Sequence, residues 1–267
     1  MSERQKSKKL RRFFTSQTLQ NAPHDLWLEP AETHHLRDSI RLKQGDACLV
    51  TDGRGGEAEA VVGEFASDGR VCLHIQEVFV KPGSFNEGLS LRVFPVMLRK
   101  GKTDLLVEKA QELGVHEFCP IVSERGEVQI AKEKTGKILE RWNRIAREAS
   151  KQSGNLKILR IEAPRNFKEA LGSISPDEPV IIFHPGPEVI SFSNWLVEAQ
   201  RFKGAIEALN VFIGPEGGFS QDEILWAKWH RKEKNIYLVG LGEVILKADT
   251  AFIGVVASLR FSGILSA

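Results

Sequence analysis

Three glycine-rich or polar stretches carry the residue types that could do chemistry, and each follows a predicted strand. The first is FIGPEGGFS at residues 212–220, after which Ser220 and Glu223 form a capping box that predicts the start of a helix. In an open α/β sheet, ligands bind at such carboxyl ends of strands. No Gly-Lys-Ser/Thr sequence follows the glycines, and the carboxylates of Glu216 and Asp222 disfavour a phosphate. The loop therefore predicts a site for a neutral or cationic ligand, with a tight glycine turn as the alternative.

The second stretch is VGLGEVILKADTA at residues 239–251, where two glycines follow a strand and Asp249 or Thr250 is the predicted N-cap of a helix. Its backbone and apolar side chains suit an adenine ring, although an ordinary strand–loop–helix corner has the same pattern. The third stretch is FHPG at residues 183–186, and a lone histidine such as His184 is more often structural or exposed than catalytic. If the three strands are neighbours in a sheet, their loops converge in the arrangement that a small cofactor needs.

Basic residues are concentrated in three segments. Six of the nine residues from Arg4 to Arg12 are Lys or Arg, residues 132–151 form a predicted helix with an excess of basic over acidic side chains, and residues 92–102 contain four more basic residues. Such clusters indicate either contact with RNA or simply a solvated face. The candidate RNA-binding residues are Arg11, Arg12, Arg99, Lys100, Arg141, Arg144 and Lys151.

Composition limits the compartment and the kinds of site. The chain has 267 residues and a net charge of +2, so its total charge identifies no partner. Cys48, Cys72 and Cys119 are odd in number and far apart, which predicts neither a disulfide framework nor a metal site and favours reduced thiols in the cytoplasm. No apolar segment follows the basic N-terminus, and the apolar run at 251–259 is too short for a bilayer. We therefore expect a cytoplasmic protein without a signal peptide or membrane segment.

The predicted secondary structure that positions these loops changes near residue 85, from short strands to strands that alternate with helices. Up to about residue 80, short apolar runs between Gly- and Asp-containing turns predict a small β-barrel or sandwich. Residues 81–88, KPGSFNEG, read as a linker. Beyond them, apolar strands alternate with helical patterns, which predicts an α/β domain with a mostly parallel sheet. We therefore predict one domain at residues 1–84 and a second at residues 89–267.

The chain resembles the RsmE family of bacterial 16S rRNA uridine-N3 methyltransferases, which belong to the SPOUT superfamily. The resemblance runs from about Arg11 to about Leu265 and rests on the order of the motifs RRFF, TDGRGGEAEA, ELGV, SERGEV, FHPG, FIGPEGGFSQDEI and LGEVILKADTA. It implies a C-terminal α/β domain with a deep trefoil knot, and an N-terminal PUA-like β-barrel that helps to hold RNA. It also implies S-adenosylmethionine as the cofactor, 16S rRNA or the small ribosomal subunit as the partner, and a homodimer through the C-terminal domain.

The resemblance assigns the strand-end loops to the cofactor and places the knot and the cofactor site within about residues 180–260. The implied cofactor-binding residues are Phe183, His184, Pro185, Ile213, Gly214, Pro215, Glu216, Gly217, Gly218, Leu238, Gly240, Leu241, Gly242, Ile245, Leu246 and Thr250. The cofactor carries a cationic sulfonium and an apolar adenine, which agrees with carboxylates nearby and no phosphate-binding lysine. Lys247 is the candidate catalytic residue, because a cation would lower the pKa of uridine N3.

The chain departs from the family at several charged positions. Lys151 and Asn155 replace a usual glutamate and arginine, Val244 and Lys247 replace arginines, and Asp249 replaces a glutamate. The cofactor glycines are kept, whereas positions expected near the substrate differ. The sequence therefore leaves two alternatives: a degenerate member that binds rRNA without methylating it, and a SPOUT ribose 2′-O-methyltransferase.

Overall fold

The chain divides into two compact units in the computed structural model, which describes residues 10–20, 23–80, 89–99, 101–128, 132–202, 206–231 and 235–265. The first unit comprises Met1–Ser84 and Lys151–Ile158, and the second comprises Phe85–Ser150 and Leu159–Ala267. The predicted N-terminal domain did not include residues 151–158. The predicted linker at 81–88 and the basic residues before Leu10 lie outside the described residues.

The first unit is built on a five-stranded sheet. Its elements are β1 (Arg12–Phe14), β2 (Asp25–Trp27), α1 (Pro30–His34), a π-helical segment (His35–Ile40), β3 (Ala47–Thr51), β4 (Gly56–Phe65) and β5 (Val71–Val80). The strands pair in the order β1-β3-β4-β5-β2, and only β1 and β3 are parallel. The sequence predicts separate strands over its apolar runs at 71–75 and 78–80, but the two form one continuous strand. The sheet agrees with the predicted β-rich domain, and its closure into a barrel stays a prediction.

The hairpin between β3 and β4 forms because of Asp52. Its Oδ1 accepts hydrogen bonds from the backbone N–H groups of Arg54, at 2.8 Å, and Gly56, at 3.0 Å. Its Oδ2 accepts from the N–H of Leu19 at 3.0 Å. Aspartate favours such a turn because its short side chain reaches the backbone that follows it. The turn predicted from TDGRGG is therefore confirmed.

The second unit alternates strands and helices. Its strands are β6 (Ser90–Pro95), β7 (Glu117–Phe118), β8 (Ile121–Val122), β9 (Arg160–Ile161), β10 (Arg165–Asn166), β11 (Val180–Phe183), β12 (Ile190–Ser191), β13 (Ala208–Ile213) and β14 (Ile236–Gly240). Its helices are α2 (Lys102–Glu112), α3 (Thr135–Ser153, whose last three residues belong to the first unit), α4 (Phe167–Gly172), α5 (Phe192–Glu198), α6 (Gln221–His230) and α7 (Ala248–Phe261), with 3₁₀ turns at Lys132–Lys134 and Ala199–Phe202. Among the described residues, we find no helix with the length and apolarity that crossing a membrane requires.

The main sheet of the second unit is parallel throughout. Its order is β12-β14-β11-β13-β6-β7-β9, and β8 and β10 form a separate parallel pair. The predicted α/β class with a parallel sheet is therefore confirmed. Strand β14 lies between β11 and β12, both of which precede it in the chain. The trefoil knot that the family resemblance implies is not tested by this strand order and stays a prediction.

The sequence also predicts a single strand over residues 118–122, and this prediction was wrong. The apolar run 118–122 is divided into β7 and β8, with Pro120 between them. Proline has no N–H group and cannot continue a hydrogen-bonded ladder. Cys119 still donates to the carbonyl of Val93 at 2.8 Å, whereas the carbonyl of Pro120 accepts from Arg165 at 3.2 Å. The chain thus passes from the large sheet to the small one at the proline.

Strand β13 lies inside the sheet, and all six of its residues are buried. The ring of Phe212 stacks on Phe94 with their centroids 4.4 Å apart and meets Phe167 edge-on at 5.4 Å. A strand covered on both faces is mostly apolar, as this one is apart from Asn210, whose Nδ2 donates to Oε2 of Glu178 at 3.0 Å. This buried strand ends at Ile213, and the glycine-containing loop begins directly after it.

Candidate functional site

The loops after three neighbouring strands surround one cavity. β11 pairs in parallel with both β13 and β14, which places Phe183 beside Ile213 and Val239. Because parallel strands end at the same edge of a sheet, the loops that follow them converge there. The cavity between these loops and the start of α7 has a volume of about 460 Å³. Its volume lies within the range of small-molecule sites.

Most of the residues predicted to bind the cofactor line this cavity. They are Phe183, His184, Pro185, Ile213, Gly214, Pro215, Glu216, Gly240, Leu241, Gly242, Ile245 and Leu246. The structure adds lining residues that the sequence analysis missed, namely Gly186, Val189, Ser191, Glu243, Val244, Ala248 and Ala251. Val189 and Ser191 were missed because β12 has only two residues and shows no strand pattern.

Four residues of the predicted set do not line the cavity: Gly217, Gly218, Leu238 and Thr250. Leu238 instead packs against the apolar core of the second unit. Thr250 is exposed on the first turn of α7. The predicted N-cap at Asp249 or Thr250 was wrong, because α7 begins at Ala248 with Lys247 as its N-cap residue. The side chain of Lys247 makes no capping hydrogen bond.

Gly218 holds two of the loops together. Its φ is +69°, a left-handed conformation that glycine adopts without steric cost. A Cβ atom at this position would lie 2.5 Å from Cδ of Pro185 and 2.6 Å from Nδ1 of His184. Its N–H donates to the carbonyl of Pro215 at 2.8 Å and closes the turn. Gly218 must therefore be a glycine because the loop after β13 and the loop after β11 touch at this residue.

His184 lines the cavity in an environment that disfavours its charged form. Burial lowers the pKa of His184 below its usual value, and the nearby charge of Arg125 lowers it further. Arg125 is held there because its Nη1 donates to the carbonyl of Gly217 at 2.8 Å. Nδ1 of His184 is buried and has no hydrogen-bond partner within the described part of the chain. His184 thus presents a neutral ring to the cavity at neutral pH.

A buried glutamate connects the SERGEV motif to the start of α6. Glu223 is only 2% exposed and completes the predicted capping box, which is confirmed: the N–H of Ser220 donates to it at 2.8 Å. It also accepts from Oγ of Ser123 at 3.0 Å and from the N–H of Glu124 at 3.1 Å. The spacing of Ser220 and Glu223 predicted only a capping role for Glu223. Its contacts with residues 123–124, far away in the chain, had no local signal.

A second cavity of about 400 Å³ adjoins the first. Pro215 and Glu216 line both cavities, so the two meet at this dipeptide. The other lining residues of the second cavity are Val96, Met97, Leu98, Arg99, Lys102, Gly126 and Glu127. They come from the end of β6, the start of α2 and the SERGEV loop. No sequence pattern predicted this cavity, because it is formed by segments that are distant in the chain.

Lys102 is fixed at the second cavity by Asp249. Its Nζ lies 3.0 Å from Oδ2 of Asp249, and this hydrogen bond is the main reason why the pKa of Asp249 lies below its usual value. Oδ1 of Asp249 is buried and has no hydrogen-bond partner among the residues described. Lys247, the predicted catalytic residue, is exposed and lines neither cavity. The lysine that lines a cavity is Lys102.

Two of the predicted RNA-binding residues have partners inside the first unit. Nε of Arg12 lies 2.6 Å from Oε1 of Glu57, and its Nη1 donates to the carbonyl of Lys151 at 2.8 Å. Nζ of Lys151 lies 2.9 Å from Oε1 of Glu32 and sits over the ring of Phe14. The side chains of Arg12 and Lys151 are only 16% and 10% exposed. Both charges are thus neutralised within the unit, and we withdraw these two residues from the RNA-binding set.

The other predicted RNA-binding residues are Arg11, Arg99, Arg141 and Arg144, which are exposed, and Lys100, which lies outside the described residues. Arg99 donates two hydrogen bonds to the carbonyl of Glu127. Arg141 forms an ion pair with Asp104, which also accepts from Nε1 of Trp142 at 3.1 Å. These exposed arginines remain available to a polyanion.

Three side chains of the first unit lie close enough to hold a metal ion. They are His24, Asp25 and His74, whose ligand atoms lie within 4.8 Å of one another. Oδ1 of Asp25 lies 2.7 Å from Nδ1 of His74 and 3.0 Å from Nδ1 of His24, and these hydrogen bonds lower the pKa of Asp25. Hydrogen bonding alone accounts for this arrangement. The expectation of no metal site, which rested on the cysteines, stays a prediction.

Two family models match the chain. The model of an RNA methyltransferase domain matches residues 86–260, and that of an RNA methyltransferase PUA domain matches residues 28–75. The first match covers well over half of the chain. The two matches fall on the parallel α/β sheet with its two cavities and on the five-stranded sheet, respectively.

Relatives and solved structures agree over most of the chain. The ribosomal RNA small subunit methyltransferase E of Bacillus subtilis is 28% identical over 251 residues, which cover 91% of this chain and 93% of that protein. A Legionella pneumophila protein, described as a methyltransferase and solved with the bound cofactor SAM, has a TM-score of 0.80 at 24% identity, covering 95% and 98% of the two chains. A ribosomal RNA small subunit methyltransferase E from Neisseria gonorrhoeae, bound to S-adenosyl methionine, has a TM-score of 0.76 at 22% identity, covering 94% and 97%. These structures show a shared fold.

Proposed function

This chain belongs to the RsmE family of RNA methyltransferases, and on that premise we propose that it transfers a methyl group from S-adenosylmethionine to N3 of a uridine in 16S rRNA. The observation that carries the proposal is the junction of three strand-end loops around one cavity, with a second cavity beside it. The relatives from L. pneumophila and N. gonorrhoeae hold this cofactor in their structures. The B. subtilis relative is named for the small-subunit rRNA.

The first cavity fits this cofactor chemically. Glu216 and Glu243 line it, and none of its described lining residues is Lys or Arg, which suits a cationic sulfonium. Leu241, Ile245 and Leu246 offer apolar surface to an adenine ring. His184 of the third loop lines the cavity with a ring whose neutral form is favoured. These residues of the three loops are the ones that would hold the cofactor.

The reaction needs positioning and a deprotonated nucleophile. When bound, the cofactor supplies an electrophilic methyl group, and the residues of the two cavities orient the reacting atoms. Such orientation accounts for much of the rate in a transfer of this kind. Uridine N3 is protonated at neutral pH, and if its pKa lies about two units higher, deprotonation costs roughly 3 kcal/mol. A cation held beside N3 would lower that cost.

Most departures from the family pattern lie away from the first cavity. Asn155 is buried in the first unit, and Lys151 is ion-paired there, so neither change alters a residue that lines a cavity. Asp249 keeps the carboxylate of the family's glutamate and pairs with Lys102. Val244 does line the first cavity in place of an arginine. This replacement of an arginine by Val244 favours the alternative of a degenerate member that binds rRNA without methylating it.

We also propose that the protein is a homodimer through its second unit. Large apolar side chains of that unit are more than half exposed in the single chain, namely Val197, Leu225, Trp229, Val244, Ile245 and Phe261. Exposed apolar side chains mark an interaction site when they form one contiguous patch. Light scattering at micromolar concentration tests the proposal, and a clean monomer would contradict it. A ribosomal RNA substrate would place the protein in the cytoplasm, as the cysteines predict.

One experiment tests the proposed activity directly. 3-Methyluridine in 16S rRNA is measured by mass spectrometry in cells with and without the gene, and again after purified protein and S-adenosylmethionine act on unmodified small subunits. Loss of 3-methyluridine without the gene, and its appearance in the purified reaction, support the proposal. A 2′-O-methylated ribose would identify the other SPOUT chemistry. RNA binding with no methyl transfer would identify a degenerate member.

A further inference from the structure

We infer that the second cavity binds the target uracil base and that Lys102 is the catalytic residue that stabilises its deprotonated N3. This inference rests on the proposed function and names the place and the residue at which its substrate reacts. It replaces Lys247, which lines neither cavity, as the catalytic cation.

The position of the second cavity is the first argument. Pro215 and Glu216 line both cavities, so the two cavities are neighbours that meet at this dipeptide. Methyl transfer requires the nucleophile and the methyl donor to be adjacent and aligned. A cavity that meets the cofactor site at this dipeptide would place a base and the cofactor next to each other. It also has room for a flat base that has been turned out of an RNA strand, as base-modifying enzymes require.

The lining of the second cavity matches a neutral base better than a phosphate. The side chains of Val96 and Met97 are buried and offer apolar surface to the faces of a ring. The charged residues of the lining are two cations, Arg99 and Lys102, and two carboxylates, Glu127 and Glu216, so their charges balance. A phosphate site needs an excess of cations, whereas a uracil acquires negative charge only as N3 loses its proton.

Of the two cations in this lining, Lys102 is the one whose ammonium group keeps N–H donors for a ligand. Arg99 is 62% exposed and is bound to Glu127 through two hydrogen bonds to its carbonyl and a contact of 3.4 Å to its carboxylate. An ammonium group has three N–H donors. Asp249 accepts one from Lys102 at 3.0 Å, which orients the ammonium and leaves two donors for a carbonyl oxygen and N3 of the base. Asp249 is thus a positioning residue that acts through Lys102.

The step balances without any further reactant. The N3 proton leaves to solvent water, and the resulting negative charge is shared by N3 and the two ring carbonyl oxygens next to Lys102. The electron pair of N3 then forms a bond to the methyl carbon as the carbon–sulfur bond breaks. The electrons of that bond go to sulfur, and the products are 3-methyluridine, S-adenosylhomocysteine and a proton.

The test compares Lys102→Met, Lys102→Arg and Lys168→Met in the full-length protein. Lys168 is exposed on α4 and lines neither cavity, so its variant controls for the loss of one charge. The value of kcat on unmodified small subunits is measured from pH 7 to pH 9.5, and S-adenosylmethionine affinity is measured by calorimetry. Circular dichroism confirms that each variant is folded.

We expect Lys102→Met to lower kcat about 100-fold at pH 7, the usual effect of removing one preorganised stabiliser of developing charge. The loss should shrink toward pH 9.5, where N3 deprotonates without help. Lys102→Arg should restore much of the rate, and cofactor affinity should stay within about twofold in all three variants. A Lys102→Met variant with the kcat and pH profile of the wild type would overturn the inference while leaving the proposed function in place. A wild-type protein that makes no 3-methyluridine would overturn the proposed function itself, and the inference with it.

Discussion

Gly218 and His184 approach so closely that a methyl group on Gly218 would lie 2.6 Å from Nδ1 of His184. The two residues belong to loops that follow different strands, β13 and β11, so this contact joins two sides of the first cavity. Nδ1 of His184 is buried by the approach and has no partner within the described residues. The shape of the cavity therefore depends on the absence of a side chain at a residue that does not line it.

Gly218→Ala tests this dependence. The substitution adds a Cβ that clashes with Pro185 and His184, and it places alanine at a φ of +69°. We expect a loss of stability of about 1–3 kcal/mol and a loss of S-adenosylmethionine affinity of about tenfold or more. Thermal unfolding and titration calorimetry measure the two effects.

Gly217→Ala is the matched control for Gly218→Ala. It changes the neighbouring glycine, where a Cβ would meet no atom within 4 Å and where φ is not positive. Stability and affinity should therefore stay close to those of the wild type. If both variants bind the cofactor as the wild type does, the assignment of this loop to the cofactor is wrong.

Glu223→Gln should destabilise the second unit. The buried carboxylate of Glu223 accepts hydrogen bonds from Ser123, Glu124 and Ser220, and an amide would turn one of these acceptors into a donor. The expected cost is about 1–3 kcal/mol, as for a buried polar group left unsatisfied. Urea denaturation measures the free energy of unfolding.

Glu169→Gln controls for the capping box itself. Glu169 completes the same motif with Asn166 at the start of α4, but it is exposed. A surface substitution of this kind should lower the free energy of unfolding by about 0.5 kcal/mol or less. Equal costs for the two variants would show that Glu223 acts only as a capping residue and that its contacts with Ser123 and Glu124 add nothing.

The lowered pKa of His184 predicts a pH dependence of stability. The folded state favours the neutral ring, so the unfolded chain binds the proton more readily. This contribution is fully present above the unfolded pKa, near 6.5, and is lost as the pH falls from there toward the folded pKa. His184→Asn should reduce the acid-side slope of the free energy of unfolding between pH 7 and pH 5. The slope is measured by urea denaturation at several pH values. An unchanged slope would contradict a lowered pKa of His184 in the folded state.

Local patterns predicted the parts of the site that one segment determines. The apolar run before Gly214 marked a strand, and the spacing of Ser220 and Glu223 marked the helix after the loop. Convergence of the three loops was predictable only on the condition that their strands are neighbours. A parallel sheet meets that condition, because its strands end at one edge.

Pairings between distant segments could not be predicted. Lys102 and Asp249 meet because α2 and α7 pack together in the second unit, and neither residue has a local signal of that contact. Lys151 looked like part of a basic helix face, yet the end of α3 belongs to the first unit, where Glu32 neutralises it. Charge in a sequence window shows how many cations a segment has, but their partners are set by tertiary packing.

The exposed arginines of α3 lead to the last prediction, which concerns RNA. Arg141 and Arg144 are exposed, and Asp104, the partner of Arg141, also accepts a hydrogen bond from Trp142. Asp104 therefore keeps a partner if Arg141 turns toward a phosphate. Each phosphate that an arginine neutralises releases condensed counterions, so affinity for RNA falls as salt rises, with a slope of about −0.7 per contact for single strands.

Replacing Arg141 and Arg144 together by alanine should flatten the salt dependence of RNA affinity by about one unit if both side chains contact phosphate. The matched control replaces Arg160 and Arg165 of the same unit, whose side chains are 68% and 40% exposed and pair with Glu162, so the total loss of charge is equal. Cofactor affinity should be unchanged in both double variants, because none of the four arginines lines the first cavity. Fluorescence anisotropy with a 16S rRNA fragment at several salt concentrations gives the slopes. If the two double variants flatten the slope equally, the effect comes from net charge alone, and α3 has no specific contact with RNA.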